Sequence, residues 1–203
     1  MMNSEVVHTI NNEVNIPPEQ KAAELKQLVG QLVSMGRTDL VLQSVGVPLL
    51  EELCLLAAKG RLCPLVITKD YRFFLDGNVR KEIDIQPVHK AVYLLFLAHP
   101  EGIEFKHLSE YRDELLSYYM ATARTMDKER IIDSVEHLMN PLDNAINEKC
   151  SRIKKAFLEH LDVYSASYYI ISGHTQRRFT NSSRIWYERL KVITLPRELV
   201  VFE

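Results

Sequence analysis

Apolar positions in this chain change period three times, and the changes divide it into segments. From Pro17-Pro18-Glu19, an opening suited to a helical first turn, apolar residues recur at Ala22, Leu25, Leu28, Val29, Leu32 and Val33 before Gly36. A second short helix is expected from a Thr38-Asp39 cap to just before Gly46, and a third from Pro48 to Lys59 with Gly60 closing it. After Pro64 the period shortens: Leu65–Thr68, Tyr71–Leu75 and Arg80–Ile85 read as three short strands joined by the turns Lys69-Asp70 and Asp76-Gly77-Asn78. The helical period returns at Pro87, burying Val88, Ala91, Val92, Leu95 and Phe96 until His99-Pro100-Glu101-Gly102. It continues from Phe105 to about Ala121 and, after a polar loop at 126–130, from Ile131 to Met139. The first 15 residues, rich in Asn, read as a loose arm or an edge strand.

The segment from Leu142 to Leu161 is the most informative. Its apolar residues, Ile146, Cys150, Ile153, Phe157 and Leu161, fall within about 80° of arc at roughly 100° per residue, which makes them a core stripe. The opposite face carries Asn144, Glu148, Ser151, Arg152, Lys155 and Glu159, flanked by Asn147 and Lys154. Amides, a hydroxyl and cations are the groups with which a helix in a major groove touches base edges and phosphates. The chain then reads as a strand over Ser167–Ser172, a turn holding Arg177 and Arg178, a Ser, Asn and Arg stretch reaching Arg184, and a returning strand over Leu190–Leu195. The start of that second strand is open between Arg178 and Arg189.

Charge sharpens the picture. The net charge of −2 over 203 residues hides an uneven distribution: −7 over residues 1–148, +6 over 149–191 and −1 over 192–203. A basic block beside an acidic body steers a protein onto a polyanion; a solvated charged face is the bland alternative. With 46% hydrophobic residues and 7 Gly plus 8 Pro the chain is an ordinary packed globule. Its apolar runs fall short of the ~20 residues of a membrane span. Cys54, Cys63 and Cys150 form no CxxC pair and read as buried thiols, and the start lacks a secretory leader, so a cytoplasmic protein is expected. Asp133 and His137 stand at i, i+4 with Glu136 beside them, but no further ligand completes a catalytic zinc set, and they read as ion-pair formers. Neither a phosphate loop nor a nucleophile elbow is present, and the expectation is a protein that is not an enzyme and needs no cofactor. The tyrosines Tyr111, Tyr118, Tyr119, Tyr164, Tyr168 and Tyr169 lie at positions that call for packing.

Sheet, helix, helix, long helix and basic hairpin is the order of a winged helix-turn-helix. Residues 64–203 resemble the effector domains of OmpR/PhoB-type response regulators. The resemblance rests on Ile85-Gln86-Pro87 before the first helix, on His99-Pro100-Glu101-Gly102 and on Phe105-Lys106-His107-Leu108. It rests also on Arg152-Ile153-Lys154-Lys155-Ala156-Phe157 late in the recognition helix, and on Ile170-Ile171-Ser172-Gly173 followed by Arg177-Arg178 at the wing. An additional short helix in the region 120–141 and a wing longer than the family's usual turn depart from its pattern. Residues 1–63 lack the strand and helix alternation of a receiver domain.

The expectation is therefore an α+β chain with an N-terminal arm and helical unit over 1–63 and a winged-helix domain over 64–203. The resemblance implies a sequence-specific regulator, bacterial in type, that binds double-stranded DNA. Residues 142–161 would enter the major groove, with Asn144, Asn147, Ser151 and Arg152 nearest the bases. Lys154, Lys155, Arg177 and Arg178 would lie on phosphates, and a loop over 173–189, Arg184 included, would cover the neighbouring backbone. Residues 17–60 would form a homodimer or dock a partner through Leu25, Leu28, Leu32, Leu50, Leu53 and Leu56, read as buried in that contact. The alternative is the same fold used as a protein-interaction module without DNA binding, favoured if Glu148 and Glu159 neutralise Arg152 and Lys155.

Overall fold

The computed structural model describes residues 17–140, 143–179 and 185–203, with the backbone alone described for 176–179 and 185–188. The chain is α+β and divides into two compact units, one ending at Cys54 and one beginning at Leu55, within the third helix.

In the first unit, α1 (Pro18–Ser34) has Pro at its first position and Glu19 in its first turn. It ends where Gly36 takes φ +73°, donating to the Val33 carbonyl at 2.9 Å while Arg37 donates to Leu32 at 2.8 Å. The second helix, α2 (Thr38–Val45), lacks the side-chain cap expected of Thr38-Asp39, because the Asp39 carboxylate turns back to the Arg37 guanidinium at 2.9 Å. The third, α3 (Val47–Lys59), follows Gly46 at φ +76°. No residue of α1 or α2 is buried, and α3 buries only Ala58. Within one chain the leucines of the expected contact are not covered by the described residues: Leu25, Leu28, Leu50, Leu53 and Leu56 are exposed and Leu32 is half-buried. Helical periodicity marks which side chains share a face, and it carries no information on whether anything covers that face. Among the described residues no single helix is long and apolar enough to cross a membrane; α2 and α3 reach that length together but are bent by 72°.

In the second unit, β1 (Leu65–Ile67), β2 (Phe73–Asp76), β3 (Arg80–Ile83) and the later β6 (Val200–Phe202) form a sheet in the order β3-β2-β1-β6. The first three are antiparallel; β6 pairs with β1 in parallel, Leu65 opposite Val200. All of β1 is buried, as a central strand requires, and Phe73 and Leu75 point inward from β2. The sheet packs on α4 (Pro87–Ala98), which starts at a proline and buries every residue from Ala91 to Leu97. A 3-10 turn (Phe105–Tyr111) leads into α5 (Arg112–Thr122), then come α6 (Lys128–Met139) and α7 (Ala145–Leu158).

One aromatic column ties these layers together: Phe73 of β2, Tyr93 of α4, Phe157 of α7 and then Tyr169, with successive centroids 5.6, 5.4 and 5.7 Å apart.

The strand expected over Ser167–Ser172 is corrected. Val163–Tyr169 is a helix, α8, because Asp162 caps it, accepting from the Tyr164 and Ser165 amides at 3.0 and 3.1 Å. The β preference of its tyrosines is outweighed by burial: Tyr169 is fully enclosed, and the Tyr168 hydroxyl donates to the Leu55 carbonyl at 2.9 Å. The antiparallel hairpin β4 (Ser172–Phe179) and β5 (Ile185–Val192) follows, so the returning strand begins at Ile185 and ends before Ile193. Its base is fixed by Ile103, which exchanges two backbone hydrogen bonds of 2.9 Å with Lys191. Gly102 makes this approach possible. Its φ is +87°, and a Cβ there would stand 3.0 Å from the Lys191 carbonyl oxygen and 3.1 Å from the Leu190 Cβ.

Candidate nucleic-acid interface

The stripe proposed for α7 faces inward: Ala145, Ile146, Ile153, Ala156 and Phe157 are buried, with Cys150 and Leu161 half-buried beside them. Burial pushes the Cys150 thiol up to about 12, so it is an inert packing group. The polar residues share the outer surface, where Asn144, Asn147, Glu148, Ser151, Arg152, Lys154, Lys155 and Glu159 are all exposed. Turning Ile153 and Phe157 into the aromatic core leaves these side chains no other direction.

The outer face is organised by bonds within the helix. The Asn147 amide donates to the Asn144 side-chain oxygen at 2.8 Å, and the Ser151 hydroxyl donates to the Asn147 carbonyl at 2.9 Å. The Arg152 Nε donates to the Glu148 carboxylate at 2.9 Å, one turn back, and Lys149 lies 3.8 Å from the same carboxylate. Arg152 holds the Glu148 carboxyl below its ordinary range. Lys154 and Lys155 form no ion pair among the described residues, nor does Glu159. The helix thus presents two unpaired cations and one tethered cation, with amide and hydroxyl groups toward its N-terminal half.

Behind this face lies a shallow hollow of about 190 Å³, lined by Asp84, Ile85, Gln86, His89, Arg152, Lys155, Ala156 and Glu159. Two acids and two bases share it, which lowers the field on that flank. His89 is 4% exposed, and among the described residues its Nε2 has no hydrogen-bond partner. Burial, with Lys149 and Arg152 nearby, lowers its pKa to about 4, so the imidazole is neutral at pH 7.

The hairpin supplies the second basic element. Arg177 pairs across the ladder with Tyr187 and Arg178 with Trp186, described for their backbones alone; Arg184 lies outside the described residues. At the hairpin base, Arg189 and Lys191 join Lys106 and its ion-pair partner Glu104, 2.7 Å away, around a second hollow, and the Lys191 ammonium lies 5.3 Å over the Phe105 ring. Sequence reasoning missed Lys106 and Lys191 as neighbours, because only the bridge from Ile103 brings the two segments together.

His137 Nδ1 lies 3.0 Å from an Asp143 carboxylate oxygen, and Glu136 pairs with Arg112. No cluster of three His, Cys, Asp or Glu able to hold a metal occurs among the described residues. The tyrosines serve packing for the most part: Tyr119 and Tyr169 are buried, Tyr111, Tyr118 and Tyr168 are half-buried, and Tyr164 is exposed. Comparison with family models, curated proteins and solved structures finds no match to this chain.

Proposed function

We propose that residues 55–203 are a winged helix-turn-helix unit that binds double-stranded DNA, as part of a transcriptional regulator. In this reading α7 enters the major groove and the β4–β5 hairpin lies along the neighbouring backbone. The reading is carried by one observation: α7 turns its apolar stripe inward, burying Ile146, Ile153 and Phe157, and leaves Asn144, Asn147, Ser151, Arg152, Lys154 and Lys155 exposed together on the other side, with Glu148 and Glu159 among them. Among the described residues Lys154 and Lys155 are held in no ion pair, although Asp84 and Glu159 share a hollow with Lys155, whereas Arg152 must give up Glu148. Asn144, Asn147 and Ser151 retain unused donor and acceptor capacity for base edges. The resemblance of residues 64–203 to OmpR/PhoB-type effector domains supports the same assignment of recognition helix and wing.

Fluorescence anisotropy on a labelled mixed-sequence duplex between about 50 and 200 mM salt tests the reading. Log affinity should fall linearly with log salt. Replacing Lys154 and Lys155, or Arg177 and Arg178, with Ala should lower the slope by about 0.9 per lost phosphate contact. Folded protein that fails to bind at the lowest salt would overturn it.

The second reading, a protein-interaction module, is favoured by the Glu148–Arg152 pair and by Asp84 and Glu159 beside Arg152 and Lys155. A face of mixed sign suits a polar protein partner better than a uniform polyanion.

A further inference from the structure

We infer that the α1–α3 face is the interface of a homodimer, so that a second copy of this chain is its occupant. Among the described residues of the N-terminal unit, apolar side chains that share helical faces stand exposed: Leu25 is 60% exposed, Leu28 59%, Leu42 50% and Leu53 50%. Helices of this length are marginal in water without packing on an apolar face. Something must therefore remove these side chains from solvent.

The area fits a copy of the same surface. Nine large apolar residues between Leu25 and Leu53 are 37 to 72% exposed. A side chain of this size carries roughly 60–120 Å² of apolar area, so together they present about 450 Å². At the ~65% apolar share of homodimer interfaces this corresponds to about 700 Å² per copy, close to the ~800 Å² of a standard stable interface. Charge points the same way. From α1 to α3 the chain carries Glu19, Glu24, Asp39, Glu51 and Glu52 with Lys21, Lys26, Arg37 and Lys59, a nearly balanced set that calls for no partner of one sign. A two-fold contact sets the same patch against itself, which such a face satisfies. The inference is independent of the nucleic-acid reading, since it concerns other residues and needs no DNA.

Sedimentation equilibrium of the full chain at about 1 to 50 μM and high salt tests it, because salt screens charge contacts and leaves apolar ones. The expected mass is twice 23.5 kDa, with a thermal midpoint that rises with protein concentration. Leu25→Glu/Leu28→Glu should raise the dimer Kd at least tenfold with helical circular dichroism retained. Mixing it with Leu25→Lys/Leu28→Lys should restore dimers as Glu and Lys faces pair. Wild type that stays monomeric at the highest concentration, with or without added phosphatidylcholine vesicles, overturns the proposal. So does a wild-type monomer that partitions onto those vesicles, or a folded Glu variant that dimerises as wild type does.

Discussion

Removing one oxygen atom tests how the second unit is closed. The Tyr169 ring is fully buried at the end of the aromatic column, and its hydroxyl donates to the Cys63 carbonyl at 2.6 Å and accepts from the Cys63 amide at 2.9 Å. One side chain thereby fastens the segment entering β1 to the end of α8, just before the hairpin. Tyr169→Phe keeps the ring, the Tyr93 contact to the Tyr169 carbonyl at 2.8 Å and the stack on Phe157, so no cavity larger than an oxygen forms. Each lost hydrogen bond is worth about 0.5–1.5 kcal/mol, giving about 1–3 kcal/mol for the two. At about 2–4 °C per kcal/mol for a chain of this size, the midpoint should drop by about 2–12 °C. Urea unfolding followed by near-ultraviolet circular dichroism measures the change directly. Tyr168→Phe, which gives up only the bond to the Leu55 carbonyl, is the internal standard and should cost about 1 kcal/mol. Equal losses in the two variants, or a loss below about 0.5 kcal/mol for Tyr169→Phe, would refute the claim that this hydroxyl joins the two segments.

Three further outcomes follow from the same structure. Gly102→Ala combines a left-handed backbone with a methyl 3.0 Å from the Lys191 oxygen, so it should destabilise the chain by about 2–5 kcal/mol in urea titrations and weaken duplex binding by loosening the hairpin base. His89→Leu should flatten the loss of stability in acid. The folded imidazole titrates near 4 rather than 6.5, so stability is full above about 6.5 and falls as pH drops toward 4, where the unfolded chain takes up a proton that the folded chain refuses. Urea midpoints measured from pH 7 to pH 4 in both proteins check this, and parallel curves would refute it. Glu148→Gln releases Arg152 from its ion pair and removes one negative charge, so duplex affinity at low salt should rise about 3- to 10-fold in the anisotropy assay; a fall would favour the protein-interaction reading.

Periodicity along the chain was enough to place most elements. The 3.6-residue stripes at Leu25 and Leu28, at Ala91 to Phe96 and at Ile146 to Phe157 became α1, α4 and α7, and the inward face of α7 is the stripe its spacing marks. The polar face of α7 was legible for the same reason, since assigning one side of a helix to the core assigns the other to solvent. Hydrophobic spacing is a local property, however, and three features depended on distant parts of the chain. Tyr168 and Tyr169 read as strand residues until the Asp162 cap and their bonds to Leu55 and Cys63 are included. The strand β6 is three residues long and exists because β1 offers it an open edge. The exposure of Leu25, Leu28 and Leu53 was likewise invisible, because an apolar stripe looks the same whether or not something covers it. Nor does spacing reveal which charges meet: the Glu148–Arg152 bond was allowed by an i, i+4 relation, but the pooling of Asp84 and Glu159 with Arg152 and Lys155 required the sheet and α7 to pack together. Sequence by itself determined the faces of the helices, and only the tertiary structure decided what lies against each of them, because burial and charge pairing are set by residues far apart in the chain.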